Sequence, residues 1–290
     1  MSATGIGVVG CAGRMGRMNL ATILACEGAR LAGGTEQPDS RWIGQDLGSL
    51  IVGSPSGHDT GLTVGADPRA LFAASDVVVD FTTAATSLEH ARIAVESGKA
   101  LVLGTTGLSV DQQAAIEKAS GEVPIVQAAN MSLGVNLLLI LVEQAARTLG
   151  PDFDIEVLEM HHRHKVDAPS GTALALGAAA AAGRGVALDG VAQKVRDGVT
   201  GERRRGDIGF ATLRGGDVAG EHTVLMAAPG ERIELTHKAT DRAIFSKGAI
   251  RAALWVAGRP PGLYSMRDVL GLGATSSAWP ETRSDQGGAG

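Results

Sequence analysis

Cysteine, histidine and long apolar runs are all scarce in this 290-residue chain, and each scarcity narrows its reading. Two cysteines, Cys11 and Cys26, cannot build a disulfide framework and lack metal-ligand spacing. They read as small buried thiols in a reducing cytoplasm. No basic stretch leading into an apolar segment opens the chain, and the longest apolar run, near Leu137–Val142, is too short to span a bilayer. A cytoplasmic protein without membrane contact is therefore expected. Cations are not in excess: a formal net charge of −5 argues against a broad nucleic-acid surface, while leaving room for a local basic pocket. No internal repeat is evident. What is there is 44% hydrophobic and 20% charged residues, a globular composition long enough for two modest domains or one large one.

The first half alternates short strand-like and helix-like runs, the pattern of a parallel sheet covered by helices. Ile6–Val9, Leu31–Thr35, Val77–Phe81, Ala100–Leu103 and Pro124–Gln127 read as strands; Arg14–Cys26 and Thr86–Glu96 read as helices. Ser109 with Gln112 three residues on predicts a capping box for a helix to about Ser120. The second half changes character. Leu133–Leu149 reads as a helix with a wide apolar face, Asp154–Met160 as a half-buried strand, and the Ala-rich run after Ser170, to Ala182, as another helix. Ile208–Arg214, Glu221–Met226 and Arg232–Lys238 predict strands joined as hairpins or in a mixed sheet, followed by a helix over Arg242–Val256. Residues from Ala274 on read as a flexible tail.

Three of the seven histidines fall within five residues, His161-His162-Arg163-His164-Lys165. Imidazole titrates near neutrality and can give or take a proton, and the adjoining cations favour carboxylates or phosphates. Asp167-Ala168-Pro169-Ser170-Gly171-Thr172-Ala173 follows at once. Pro169 halts any preceding structure and Ser170 is an N-cap candidate. The backbone N–H groups of Ser170, Gly171 and Thr172 then offer a second anion site at a helix start. Zinc is not expected, since adjacent strand residues point to opposite faces and no carboxylate or cysteine has matching spacing. Arg203-Arg204-Arg205, between Glu202 and Asp207, reads as a solvated loop, His222 and His237 as packing residues, and Trp255 as core filling.

Gly10-Cys11-Ala12-Gly13-Arg14-Met15-Gly16 lies between a predicted strand and helix, and Glu36 follows about 20 residues beyond Gly16, where an acidic residue binds ribose hydroxyls. Asp80-Phe81-Thr82, Gly104-Thr105-Thr106-Gly107 and Ala128-Ala129-Asn130 each follow a predicted strand, at the edge where open parallel sheets bind ligands.

Glu159 to Ala173 as a block resembles the histidine motif of the dihydrodipicolinate reductases, also called 4-hydroxy-tetrahydrodipicolinate reductases, of the diaminopimelate route to lysine. The likeness extends through Gly10–Gly16, Gly104–Gly107, Ala128–Asn136, Gly206–Arg214, Gly220–Thr223 and Thr236–Trp255. The resemblance implies an α/β chain. A Rossmann domain (1–131 with 241–273) would bind the dinucleotide, an α+β domain with a mixed sheet (132–240) would carry substrate binding and homotetramer assembly, and 274–290 would be the tail. It implies NAD(P)H-dependent reduction of 4-hydroxy-tetrahydrodipicolinate to tetrahydrodipicolinate. His161 would be proton donor or acceptor and Lys165 proton donor, with a neighbouring cation helping to keep Lys165 poised. His162, with Ser170, Gly171 and Thr172, would hold the substrate carboxylates. Gly10, Cys11, Ala12, Gly13, Arg14, Met15, Gly16, Glu36, Phe81, Gly104, Thr105, Thr106, Ala128, Ala129, Asn130 and Met131 would hold the cofactor. Met131 stands where many relatives carry an aromatic residue. Gln37 stands where some carry arginine. Glu36 repels a 2′-phosphate and Gln37 offers no compensating charge, so NADH is expected to be preferred, with Arg14 leaving NADPH possible. The same proton donors would serve a dehydrogenase acting on another small carboxylate; a silent nucleotide sensor would lack them.

Overall fold

The β-branched runs of the first half form the parallel layer that their pattern predicts. The computed structural model describes residues 3–51 and 59–272. Its first six strands are Thr4–Val9 (β1), Ala29–Thr35 (β2), Val64–Gly65 (β3), Val77–Asp80 (β4), Ala100–Leu103 (β5) and Pro124–Gln127 (β6). Between them lie Arg14–Leu24 (α1), Pro68–Ala74 (α2), Ala84–Ser97 (α3) and Val110–Ser120 (α4). β4 and β5 are buried on both faces, as a parallel sheet covered by helices on each side requires. The capping box forms: Ser109 accepts from the Gln112 N–H while the Gln112 side chain accepts from the Ser109 N–H.

The chain then builds a second layer. Leu133–Leu149 (α5) is capped by Ser132, and Gly171–Gly183 (α6) by Ser170. Both pack on a sheet of Asp154–His161 (β7), Ala192–Gln193 (β8), Ile208–Arg214 (β9), Gly220–Ala228 (β10) and Glu231–Ala239 (β11). The strand order is β11-β10-β7-β9-β8. β10 and β11 make the expected hairpin, but β9 and β10 do not pair: β7 lies between them, parallel to β9 and antiparallel to β10. β7 shows the alternation of a half-buried strand, with Ile155, Val157, Glu159 and His161 all buried on one face.

Finally Ala243–Val256 (α7), Gly262–Tyr264 (β12) and Met266–Val269 (α8) return to the first sheet, whose order is β12-β6-β5-β4-β1-β2-β3, parallel throughout. α7 packs its Ala249, Ile250, Ala253 and Val256 into the same core as Val8, Val77 and Val102. The result is a Rossmann-like α/β layer joined to a helix-backed mixed sheet. The order reverses between β4 and β1, the crevice where such sheets bind nucleotides.

Three readings change. Arg203-Arg204-Arg205 is no free solvated loop. Arg203 bonds Asp154 and Glu156 and the carbonyls of Ile155 and Asp207, because the charges on the open face of β7 need partners; Arg204 pairs with Asp207 and Arg205 with Asp152. Trp255 lies at the border of the core, edge-on to Tyr264 at 5.1 Å and under the Arg259 guanidinium at 4.3 Å. The helical span Leu133–Asp152 is by length and composition long and apolar enough to cross a membrane, although α5 packs along α6 and β11. The expected tail, 274–290, lies outside the described residues.

Candidate active site

The nucleotide end is built by backbone. Gly10 ends β1 with φ +64°, a left-handed value open to glycine. α1 then starts at a Gly13 cap that makes no side-chain hydrogen bond, so its first-turn N–H groups remain free for an anion. Gly16 is required by close packing: a Cβ there would drive into the Gly10 carbonyl oxygen and come within 2.7 Å of the Cys11 backbone. Glu36, one residue beyond β2, accepts the Ala12 N–H at 2.7 Å through one carboxylate oxygen. It lines a cavity of about 220 Å³ with Gly10, Gln37, Thr82 and His90, and among the described residues no lysine or arginine lines that cavity. Arg17 is committed elsewhere, donating to the Ala12 and Leu50 carbonyls and lying 4.7 Å from the Trp42 ring centre. This donor set fits a pyridine dinucleotide: free N–H groups for the pyrophosphate and a carboxylate for the adenosine ribose.

Behind the crevice, Asp80 is fully buried and binds two of the cofactor-side loops together. Its carboxylate accepts from the Thr82 N–H and hydroxyl at 2.8 and 2.6 Å, from Thr105 at 3.4 Å, and pairs with His90 Nδ1 at 2.8 Å. Burial by itself would raise the Asp80 carboxyl, but the His90 and Thr82 bonds outweigh it and hold it below the usual range. Phe81 lays its ring where a Gly104 side chain would be. Thr106, Ala128, Ala129 and Asn130 line the deeper cleft.

Two expected cofactor contacts turn inward. The Cys11 thiol is buried against Gly34 and pushed up to about 12 by burial and by the Glu36 charge; its N–H is spent on the Thr35 carbonyl. The Met131 side chain, 1% exposed, belongs to the core beside α7. Neither side chain faces the cleft, because apolar burial takes both.

The cleft itself, about 660 Å³, brings Thr106 and Ala128–Asn130 of the first layer against His161, Lys165 and Ser170–Thr172 of the second. Asn130 donates to the Thr172 hydroxyl across it at 3.3 Å. The Ser170 hydroxyl accepts the Ala173 N–H at 3.1 Å, leaving the Gly171 and Thr172 N–H groups at the free end of α6. His161 holds Glu159 through Nδ1 at 2.5 Å. Burial lowers its pKa, Lys165 and Arg214 act in the same sense, and Glu159 opposes them. Lys165 has a carboxylate partner, Asp167 at 2.8 Å, rather than the expected cation. His162 stands outside the cleft lining: it follows β7 on the other side, 3.3 Å from an Arg242 nitrogen, with a buried Nδ1 that has no partner.

Sequence reasoning missed several residues here. Ser265 and Arg267, from the far end of the chain, line the cleft, and Arg267 pairs with Glu143. Glu159 and Arg214 underlie His161. The two-residue spacing of Glu159 and His161 on a strand was the available signal for the first of these.

Comparison with known proteins agrees across the chain. The model of the dihydrodipicolinate reductase N-terminus matches residues 4–131, and that of its C-terminus matches 134–270. The chain is 56% identical over 273 residues to 4-hydroxy-tetrahydrodipicolinate reductase 1 of Mesorhizobium japonicum, covering 92% of this chain and 97% of the relative. It is 54% identical over 268 residues to the 4-hydroxy-tetrahydrodipicolinate reductase of Dinoroseobacter shibae, covering 92% and 98%. A solved dipicolinate-bound dihydrodipicolinate reductase from Paenisporosarcina sp. TG-14 shares the fold, with a TM-score of 0.71 at 23% identity over 91% of this chain and 97% of that one.

Proposed function

The chain belongs to the dihydrodipicolinate reductase family, and on that premise we infer that it reduces 4-hydroxy-tetrahydrodipicolinate to tetrahydrodipicolinate with a pyridine nucleotide, in the diaminopimelate route to lysine. The single observation that carries the assignment of roles is the shared cleft, where the loops after β5 and β6 meet His161, Lys165 and the start of α6.

Gly10, Ala12–Gly16, Glu36 and the loops at Phe81, Gly104–Thr106 and Ala128–Asn130 hold the dinucleotide, with Cys11 and Met131 supporting from the core. The reduced nicotinamide, when bound, supplies the hydride. One substrate carboxylate lies on the N–H groups of Gly171 and Thr172 beside Ser170, where the helix dipole and the free donors meet it. Arg242, donating to His162 Nε2 at 3.3 Å, supplies a further cation outside the cleft lining. The 4-hydroxyl leaves as water to give a conjugated imine; hydride added at the carbon that carried it leaves an enamine carbon that needs a proton, and Lys165 is the donor within the cleft. His161, with Nδ1–H given to Glu159, keeps Nε2 to take or relay a proton.

We take 1–131 with 241–273 as the dinucleotide half and 132–240 as the substrate and assembly half. The face of the mixed sheet away from α5 and α6 carries half-exposed Leu158, Met160 and Leu225 beside exposed Leu213. Among the described residues no helix covers that face, which supports assembly of copies into a homotetramer. Two free thiols suit a reducing cytoplasm.

Cofactor choice follows from charge. The ribose end offers Glu36 and Gln37 and, among the described residues, no lining lysine or arginine, so NADH is preferred; exposed Arg14 at the start of α1 leaves NADPH usable. Steady-state reduction of the dicarboxylate with each nucleotide tests both substrate and cofactor. The expected kcat/KM is at least tenfold higher with NADH. Equal or greater efficiency with NADPH removes the charge argument, and no turnover with either removes the reaction.

A further inference from the structure

One buried carboxylate ties the proton-transfer histidine to the anion cradle. Glu159 is 1% exposed in the middle of the mixed sheet, where a charge requires hydrogen-bonded partners. Its Oε2 takes His161 Nδ1 at 2.5 Å and Arg214 at 2.9 Å. Its Oε1 takes the second Arg214 nitrogen at 3.0 Å, the Ser170 N–H at 3.1 Å and the Thr212 hydroxyl at 3.3 Å. Arg214 in turn donates to the Asp167 carbonyl at 2.6 Å, holding the segment that presents Lys165. A buried ion pair by itself is a poor stabiliser, since desolvation offsets the attraction. Saturating the remaining lone pairs with groups from the proton-transfer residue and the cradle gives this one a functional geometry.

We propose that Glu159 is a positioning residue for the reaction, fixing His161 in the tautomer that directs Nε2 away from Glu159 and setting the entry of α6 so that the Gly171 and Thr172 N–H groups meet the substrate carboxylate. The proposal rests on the reading of His161 as a proton-transfer group. An ionised carboxylate accepts only, so Nδ1 must carry the proton that it receives. Burial would raise the Glu159 carboxyl, but the Arg214, His161 and Ser170 bonds outweigh it and keep it ionised. The charged and titratable groups around the His161 ring are Glu159 on its own strand, Lys165 in the following loop, Arg214 on β9 and His222 on β10, whose ring centre lies 5.1 Å away. Glu159 is the anion among them.

The test compares the intact enzyme with Glu159→Gln, with Glu159→Gln/Arg214→Gln, which leaves no unmatched buried charge, and with His161→Ala. Both Glu159 variants are expected to lose about 100-fold in kcat, the scale of losing a supporting partner of a functional histidine. The affinity for pyridine-2,6-dicarboxylate is expected to fall severalfold while the Kd for NADH stays close to native, and the Tm falls further in Glu159→Gln, which leaves Arg214 unpaired, than in the double variant. In Glu159→Gln, NMR of labelled histidine should show the His161 ring titrating at lower pH than in the native protein, with its single neutral tautomer replaced by a mixture. A folded variant that keeps kcat within threefold overturns the proposal. So does a loss of kcat with an unmoved His161 titration, which marks the residue as merely structural. Full turnover in His161→Ala overturns the reading of His161 as well, whereas an inactive His161→Ala beside an active Glu159→Gln overturns the positioning role alone.

Discussion

At the scale of single residues, His222 shows what burial does to a titratable group beside the proposed proton-transfer residue His161. It is 4% exposed on β10, opposite His237, and its Nε2 lies 3.2 Å from the Ser170 hydroxyl. Because Ser170 already accepts the Ala173 N–H, its own O–H is free to donate to a neutral His222. Burial, then the charge on His161, with smaller contributions from His237 and Lys165 and opposition from Glu159, pushes His222 down to about 4. The linkage follows from the sign. An unfolded histidine binds a proton below about 6.5 while the folded one does not, so the stability tied to His222 is complete above pH 6.5 and is lost as pH falls towards 4. Between pH 8 and pH 5 that amounts to about 2 kcal/mol. Urea unfolding of His222→Gln, which keeps a polar partner for Ser170, should therefore show a pH-dependent loss smaller by about that amount. Stability curves that run parallel to native over this range would contradict the assignment.

At the scale of elements, the turn from β1 into α1 depends on backbone meeting backbone. The Gly16→Ala methyl would meet the Gly10 carbonyl and the Cys11 main chain, neither of which can swing away as a side chain could. Overpacking of this kind costs about 1–3 kcal/mol, and it displaces the free N–H groups at the start of α1 that are proposed to meet the pyrophosphate. NADH fluorescence titration should report at least a tenfold weaker Kd, with a lower Tm; native affinity would show that the turn has slack. This turn was legible in sequence, as were the buried strands, because local pattern suffices for both: three spaced glycines, and valines in series in Val77–Val79. Boundaries depended on caps. α3 begins at Ala84, ahead of the predicted Thr86, because Thr83 caps it, and α1 stops at Leu24 rather than Cys26. α2, β12 and α8 were not read at all. β12 is three residues long and is a strand only because β6 offers it an edge, although the Ser265–Asp268 capping box marked the start of α8. The site divides in the same way. His161, Lys165 and Ser170–Thr172 lie within one short stretch of sequence and could be read. Arg214 reaches Glu159 across 55 residues, and Arg267 enters the cleft from the last helix, so neither leaves a local trace.

At the scale of the whole molecule, the parallel layer cannot be completed by the first 131 residues. Ile250, Val256, Met266 and Val269 are all buried in the core that contains Ile6, Val8 and Val77, and Thr22 meets Ser246 at 2.8 Å where α1 crosses α7. Four such side chains at about 1.5–3 kcal/mol each represent about 6–12 kcal/mol, as large as the net stability of a typical domain. The proposed division makes 132–240 an insertion, a reading supported by the chain leaving and re-entering the first layer at neighbouring points. α7 passes so close to Met131 that a Cβ at Gly248 would strike the Met131 carbonyl. From Gly248 back to Ala243 is five helical residues, about 7.5 Å, a gap that a linker of about five residues can bridge at about 3.3 Å per residue. A chain of residues 1–131 joined through such a Gly/Ser linker to 241–272 should therefore unfold cooperatively in urea and bind NADH without catalysing reduction. Residues 1–131 alone should do neither, since half of one face of their sheet would be left in water. Tight NADH binding by the 131-residue fragment would show that α7 and β12 are ornaments on a finished core. A fused chain that stays unfolded would show instead that the two sheets form one cooperative unit, divided by function but not by folding.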